Sequence, residues 1–377
     1  MPLTTQVERN IIFSTKRDIL WISANMFSMS ILNWKSEDKM NKIVKAEILW
    51  SRNCGLTCPY CAMVTEEKVD KDLLLWQKGV QQLKKLDCSF CAIYGAEPLD
   101  DFAKLPEFIA MLSAADILNT LITNGCSPNT KEKITELHSV GLRSLTTSYD
   151  GEGEDIVDRS SRAKTDRGIK LLRWFRDTFP DIRDVAAVST INRKNFRSIP
   201  RIIEKMTKEG IWMLFDLIHP DRGQPGSKCQ NTKLTEELLF QEEDIPELLQ
   251  VLVQMSKMKK THLVHWSDLL VDYIIANEEV VLNYDWHCVE KDVFPSWITV
   301  ENTGEVYCCD DFHVTNEDRE RYYLWEIADK WNQFSTYQAK MAKKYCSGCI
   351  WNTHWDANAI KRGDIPVGNY VHNLKTN

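Results

Sequence analysis

Long apolar runs are missing from this chain. No stretch of ~18 consecutive apolar residues occurs, the length a helix needs to cross a bilayer, so a transmembrane helix is excluded. The segment 19–34 is apolar only in patches, broken by Ser23, Asn25, Ser28, Ser30 and Asn33. It reads as a helix packed on the core, in a subunit interface or on a membrane surface. Long basic runs are missing too. Net charge is −7, the pI is near 5.7, and 257–260 is only a short basic helix end. That argues against a nucleic-acid phosphate backbone as partner. The N-terminus shows no secretory signal, because Lys16 and Arg17 precede a polar-interrupted stretch. A cytoplasmic location is therefore expected, and without export a disulfide framework is not. No internal repeat and no low-complexity segment is visible.

What is there is cysteine: twelve in 377 residues. In a chain that is not exported, metal or catalytic use gains weight. Three of them stand together in Cys54-Gly55-Leu56-Thr57-Cys58-Pro59-Tyr60-Cys61. Thiolates this close can hold three corners of one cubane iron–sulfur cluster. Such a cluster normally takes four cysteines, so one iron would stay open to a small molecule. Structural zinc is the rival, but zinc usually takes four ligands as two separated pairs, and a compact triplet suits it poorly.

The chain is long enough for one large domain and a smaller one. Residues 46–218 alternate β-like runs with amphipathic helices. The spacing predicts strands over 46–50, 90–94, 119–123, 144–148, 185–190 and 213–218. Between them Leu73, Trp76, Val80 and Leu83 share a helix face, as do Leu171, Phe175 and Phe179, and Phe196, Ile199, Ile203 and Met206. Alternation of this kind argues for an α/β fold with a parallel sheet and outer helices. Six units are too few for an eight-stranded barrel, so a partial (β/α)6 barrel over 46–234 is expected. An N-terminal extension (1–45) would precede it. Linking helices (235–280) and a small C-terminal domain (281–377) would follow. In barrels the chemistry sits at the C-terminal ends of the strands, and the triplet directly follows the first strand.

The spacing C-x3-C-x2-C, with an aromatic residue before the last cysteine, resembles the signature of the radical S-adenosylmethionine (radical SAM) enzymes. Further turns at consecutive strand ends extend the resemblance. Gly95-Ala96-Glu97-Pro98 is similar to the family's Gly-Gly-Glu-Pro turn, with Ala96 for its second glycine, a change tolerable at negative φ. Thr123-Asn124-Gly125 is similar to its Thr-Asn-Gly turn, and Ser148-Tyr149-Asp150-Gly151 to its Ser-x-Asp-Gly. Thr190-Ile191-Asn192 with Asn195 resembles the fifth-strand motif, and Arg162 stands where relatives often have an arginine near the SAM carboxylate. The resemblance implies that Cys54, Cys58 and Cys61 bind a 4Fe-4S cluster whose open iron chelates SAM. It implies SAM contacts from Tyr60 beside the adenine, Gly95, Ala96 and Glu97 at the amino group, Ser148 at the ribose, and Thr123, Asn124, Arg162 and Thr190. An electron from the cluster would cleave SAM to a 5′-deoxyadenosyl radical that abstracts hydrogen from substrate.

Cys288, Cys309, Cys346 and Cys349 form a second set, similar in spacing to the cysteine framework of the family's SPASM/twitch extensions. No cysteine follows Cys349, so the shorter, one-cluster twitch form is implied, with a second 4Fe-4S cluster. Runs at 298–300 and 305–307 read as a hairpin turning at Asn302-Thr303-Gly304. Cys308 and Cys309 are adjacent and face opposite ways on a strand; spacing from Gly304 favours Cys309. A structural zinc site is the rival for this set.

Cys88 and Cys91 lie on or beside the second strand and read as core thiols. Cys126, after the third-strand turn, and Cys229, in the Pro/Gly-rich loop after the sixth strand, are candidate hydrogen donors. His219, Asp221 and Arg222 of that loop are candidate substrate contacts, whereas Trp212, Trp266 and Trp286 read as core. The resemblance implies an oxidoreductase-type enzyme acting on a small molecule, such as a sugar, aminocyclitol or nucleotide-like metabolite. The second cluster would accept the substrate's electron, and an external reductant such as flavodoxin or ferredoxin would feed the first. A peptide undergoing crosslinking or epimerisation is the alternative substrate. Only about 45 residues precede the first strand, against a leader-binding domain of roughly 80, which favours the small molecule. A non-catalytic metal-binding scaffold is the non-enzyme alternative.

Overall fold

The strand–helix alternation builds one continuous sheet. Its first part runs β1 (Lys45–Ser51), α1 (Leu73–Lys85), β2 (Phe90–Gly95), α2 (Leu105–Ala114), β3 (Leu118–Thr123), α3 (Thr130–Ser139), β4 (Ser144–Ser148), α4 (Arg159–Thr178), β5 (Asp184–Ile191), α5 (Ile199–Lys208) and β6 (Trp212–Leu217). Then come α6 (Ile245–Met258), β7 (Val264–His265), α7 (Asp268–Ala276), α8 (Val280–Asn283), β8 (Trp297–Val300), β9 (Val306–Tyr307), α9 (Trp331–Tyr345) and α10 (Asn352–Arg362). This computed structural model describes residues 43–56, 58, 61, 69–153, 159–219, 237–288, 294–309, 314, 317–346 and 348–362, excepting the side chains of 159–164 and 353–354. The apolar-patched segment 19–34, the extension up to residue 42, and Tyr60, Asp221, Arg222 and Cys229 lie outside the described residues.

Among the described residues, nine strands lie in the order β7-β6-β5-β4-β3-β2-β1-β8-β9. Every pair is parallel except the β8–β9 hairpin. Each strand from β1 to β7 is laid beside its predecessor, so all their C-terminal ends open on one rim. β1 is buried along its whole length, as a parallel strand covered on both faces must be. Beyond the six expected strands the sheet gains β7 on one side and β8 on the other. β8 pairs Lys45 with Trp297 and Ile48 with Val300, so the expected hairpin continues the barrel sheet.

The helices dock by the faces their periodicity marks. On α1, Trp76, Val80 and Leu83 are buried, Asp72 caps the first turn by accepting from Leu74 N at 2.9 Å, and Lys84 and Lys85 favour its negative C-terminal end. Trp76 meets Trp50 at 5.3 Å edge-on, and Trp50 stacks on Phe108 at 5.0 Å. Phe175, Phe196, Ile199, Ile203 and Met206 are all fully buried, each contributing about 1.5–3 kcal/mol of apolar transfer. Cys88, Cys91, Trp266 and Trp286 are in this core as expected, whereas Trp212 is half-buried.

Candidate active site

The ends of β1, β2 and β3 are tied into one unit. Gly95 ends β2 with φ at +153°, and a Cβ there would stand 2.3 Å from Ser51 O; only glycine permits the two strand ends to approach so closely. Ala96 N then donates to Ser51 O at 2.9 Å, and Ala96 has no positive φ. Glu97 is wholly buried. Its Oε1 accepts from Leu99 N at 3.0 Å and from Thr123 Oγ1 at 2.7 Å, and its Oε2 accepts from Asn124 N at 2.8 Å. Burial pushes its carboxyl up to about 7, against the pull of those three donors. In this geometry the carboxylate clamps the second turn to the third.

Asn124 carries the clamp to the cysteines. Its Nδ2 donates to Cys54 Sγ at 3.3 Å, and its Oδ1 accepts from Cys126 N at 2.7 Å. Cys54 Sγ also accepts from Leu56 N at 3.3 Å, and Gly55 N donates to Asp100 Oδ2 at 3.2 Å. Cys61 N donates to Cys58 O at 3.1 Å, which turns the end of the loop back. Cys54 and Cys58 are half-buried and Cys61 is exposed. Burial raises the Cys54 thiol to about 11, against the pull of the Leu56 N–H, and the Glu97 and Asp100 carboxylates and then the Cys61 thiol add to the shift. Cys126 is half-buried, its Sγ 3.5 Å from Asn124 O.

On the far side of the rim, Ser148 ends β4 half-buried and Thr190 is exposed near the end of β5. Asn195 joins the two ends: its Nδ2 donates to Thr190 O at 2.9 Å and Asp150 O at 3.2 Å. Arg162 lies on α4, and its side chain is outside the described ones. His219 follows β6 and stacks on Trp351, centroids 4.4 Å apart at 23°, with Tyr284 at 5.8 Å.

Trp351 belongs to the neighbourhood of the second cysteine set. Cys349 N donates to Trp286 O at 2.9 Å, and Gly348 N donates to Cys346 Sγ at 3.4 Å. Gly348 has φ +91°, and a Cβ there would meet Tyr284 O at 2.5 Å. The 346–349 turn is thus pressed on the 284–286 segment, two residues before Cys288. Cys308 is 1% exposed, and its thiol is held well above its ordinary range by burial and then by the nearby Cys346. Cys309 is also buried. Adjacent positions that alternation separates are therefore both enclosed.

Among the described residues, no three His, Cys, Asp or Glu side chains lie close enough to hold an ion. The donor chemistry fits a cubane cluster at the first set: three thiols on one loop, with an amide N–H already donated to the Cys54 sulfur. Sequence reasoning missed Trp351, Asp100 and the pair Arg52–Glu301, bonded at 2.7 Å. Nearness to a cysteine in the chain, two residues for Arg52 and Trp351, was the available signal.

Residues 48–212 match the sequence model of the Radical SAM superfamily. A PqqA peptide cyclase of Bradyrhizobium diazoefficiens is 26% identical over 159 residues, 41% of this chain and 40% of that protein. SuiB of Streptococcus suis, bound to precursor peptide SuiA, superposes with a TM-score of 0.56 at 15% identity, over 77% of this chain and 65% of that one. The anSMEcpe enzyme with bound AdoMet and the Cp18Cys peptide superposes with a TM-score of 0.52 at 16% identity, over 87% of this chain and 99% of that one. At such identities the two structures establish a shared fold and nothing finer.

Proposed function

Because residues 48–212 form a radical SAM domain, we propose that this chain reductively cleaves SAM and abstracts a hydrogen atom from a peptide substrate. One observation carries the first half. The cysteine loop, the 95–98 turn and the 123–125 turn are hydrogen-bonded to one another through Asn124 and Glu97. Three short motifs that are weak singly are one constellation at the strand ends, where barrel enzymes do their chemistry.

Cys54, Cys58 and Cys61 would hold a 4Fe-4S cluster, which would supply an electron and an open iron for the cleavage of SAM. The protein's own residues position and shield. Glu97 holds the second and third turns in register. Asn124 donates to the Cys54 sulfur, a contact that lowers electron density on the thiolate. Ser148 and Thr190 offer hydroxyls on the opposite side of the rim, where the ribose of SAM would lie. Cys288, Cys346 and Cys349, with Cys309 or Cys308, would hold a second cluster that accepts an electron and makes the reaction a net oxidation.

For the substrate, the curated relative that matches acts, by its name, on a peptide. That supports a peptide over the small molecule expected from chain length, because a separate protein could deliver a leader. The test is anaerobic reconstitution followed by a 5′-deoxyadenosine assay. Deuterium transfer from labelled candidate peptides is then compared with that from labelled sugars and aminocyclitols. Label arriving only from a small molecule would restore that substrate. Absence of deoxyadenosine with an intact, reducible cluster would leave a metal-binding scaffold.

A further inference from the structure

Arg52 is the first residue beyond β1, and Cys54 is two positions further on. Its Nη2 lies 2.7 Å from Glu301 Oε2, and both side chains are only 10% exposed. Glu301 is the first residue beyond β8, at the start of the hairpin that leads to Cys308. The pair therefore joins the loop carrying the first cysteine set to the hairpin carrying part of the second. Burying two opposite charges adds little to stability and is often a net cost. What such a pair does supply is two fixed charges in a poorly screened setting, each able to act on a neighbouring group. A polar cavity of about 130 Å³ adjoins it, bounded by Asn53, Asp100 and Asn302. Other charges stand near the first cysteine set: the Glu97 and Asp100 carboxylates act on Cys54, Asp100 also accepting from Gly55 N, while Lys71 is paired with Asp101.

We propose that Arg52 and Glu301 are positioning residues for the centre held by Cys54, Cys58 and Cys61, each carrying a charge that acts on its reduction potential and that the other offsets. This rests on the reading that these cysteines bind a 4Fe-4S cluster. Reduction adds a negative charge to such a cluster, and local net charge is one of the factors that set its potential. With Glu301 neutralised, the guanidinium stands unopposed and favours the reduced form. With Arg52 neutralised, the carboxylate stands unopposed and disfavours it. The two single substitutions therefore act in opposite directions, which loss of packing alone does not produce.

The test is a redox titration of the anaerobically reconstituted full chain, followed by electron paramagnetic resonance on the signal that SAM perturbs. Glu301→Gln is expected to raise the midpoint and Arg52→Gln to lower it. The double variant Arg52→Gln/Glu301→Gln and the charge-conserving Arg52→Lys are expected to stay close to the wild type. Single-variant shifts of the same sign, or no shift with the signal intact, overturn the proposal. So does an Arg52→Lys midpoint that matches Arg52→Gln. A wild-type protein with no SAM-responsive signal overturns the cluster reading itself, a failure seen before any variant is made.

Discussion

The two cysteine sets are built in opposite ways. The first lies on eight consecutive residues, Cys54 to Cys61, at the end of one strand. Its surroundings come from the next two strand ends, through Glu97, Asn124 and Asp100. The second is gathered from three segments spread over 62 residues of chain: Cys288 beyond α8, Cys308 and Cys309 beyond β9, and Cys346 and Cys349 beyond α9. The contrast teaches that chain order alone puts the first three cysteines on one loop, while the next two strand ends supply their hydrogen-bond partners. A dispersed set exists only once β8 has paired with β1 and the turn has docked on Tyr284 and Trp286.

The strongest way to break this comparison is to remove a thiol from each set. Cys54→Ala should abolish 5′-deoxyadenosine formation and the SAM-responsive resonance while leaving roughly half of the bound iron. Cys349→Ala should keep deoxyadenosine formation and lose substrate oxidation. Iron content, resonance and product assays on the two proteins decide the matter; equal loss of deoxyadenosine in both would merge the two sites into one.

A second, smaller perturbation uses the backbone. Gly95→Ala places a Cβ 2.3 Å from Ser51 O, and Gly348→Ala places one 2.5 Å from Tyr284 O. Each should cost about 1–3 kcal/mol of local strain. Gly95→Ala is expected to weaken SAM binding with the second set's iron unchanged, and Gly348→Ala to do the reverse. Isothermal titration with SAM and separate iron analysis would expose any cross-effect.

The third sharpens the second set alone. If Cys309 is the ligand, as spacing from Gly304 favours, Cys309→Ala loses the second iron centre and Cys308→Ala keeps it. Both thiols are buried, so iron stoichiometry of the two variants decides between them.

The smallest expected effect is a pH slope at Glu97. Its carboxyl titrates near 7 in the folded protein and near 4.5 when exposed. Folding thus takes up a proton between those values. The stability this adds is fully present below about 4.5 and declines as pH rises to about 7. Thermal unfolding midpoints of the SAM-free protein should fall over that window relative to Glu97→Gln, and run parallel to it above. A constant difference across the window would mean that Glu97 is ionised throughout.

Much of the fold was legible because it is repetitive. The six strands from β1 to β6 lie within a residue of where alternation predicts them, and the marked faces of α1, α4 and α5 are buried except for Leu73 and Phe179, which are half-buried at or beyond a helix end. β7 escaped because two residues carry no period. Pairing of β8 with β1 escaped because a hairpin's local pattern says nothing of what lies on its other edge. In the site, the positions of Gly95, Glu97, Asn124 and Ser148 at strand ends were legible. That Glu97 spends its carboxylate on Thr123, Leu99 and Asn124 was not.

Residue order was sufficient for what depends on near neighbours: thiol spacing in the first loop, the alternation that makes a parallel sheet, and the turns at its strand ends. Folding decided what depends on distance in the chain. It enclosed Cys308 beside Cys346, stacked His219 on Trp351 and joined Arg52 to Glu301 across 249 positions. The reason is physical: backbone geometry propagates over a few residues, whereas burial, stacking and ion pairing depend on which distant segments the packed sheet brings to the same rim.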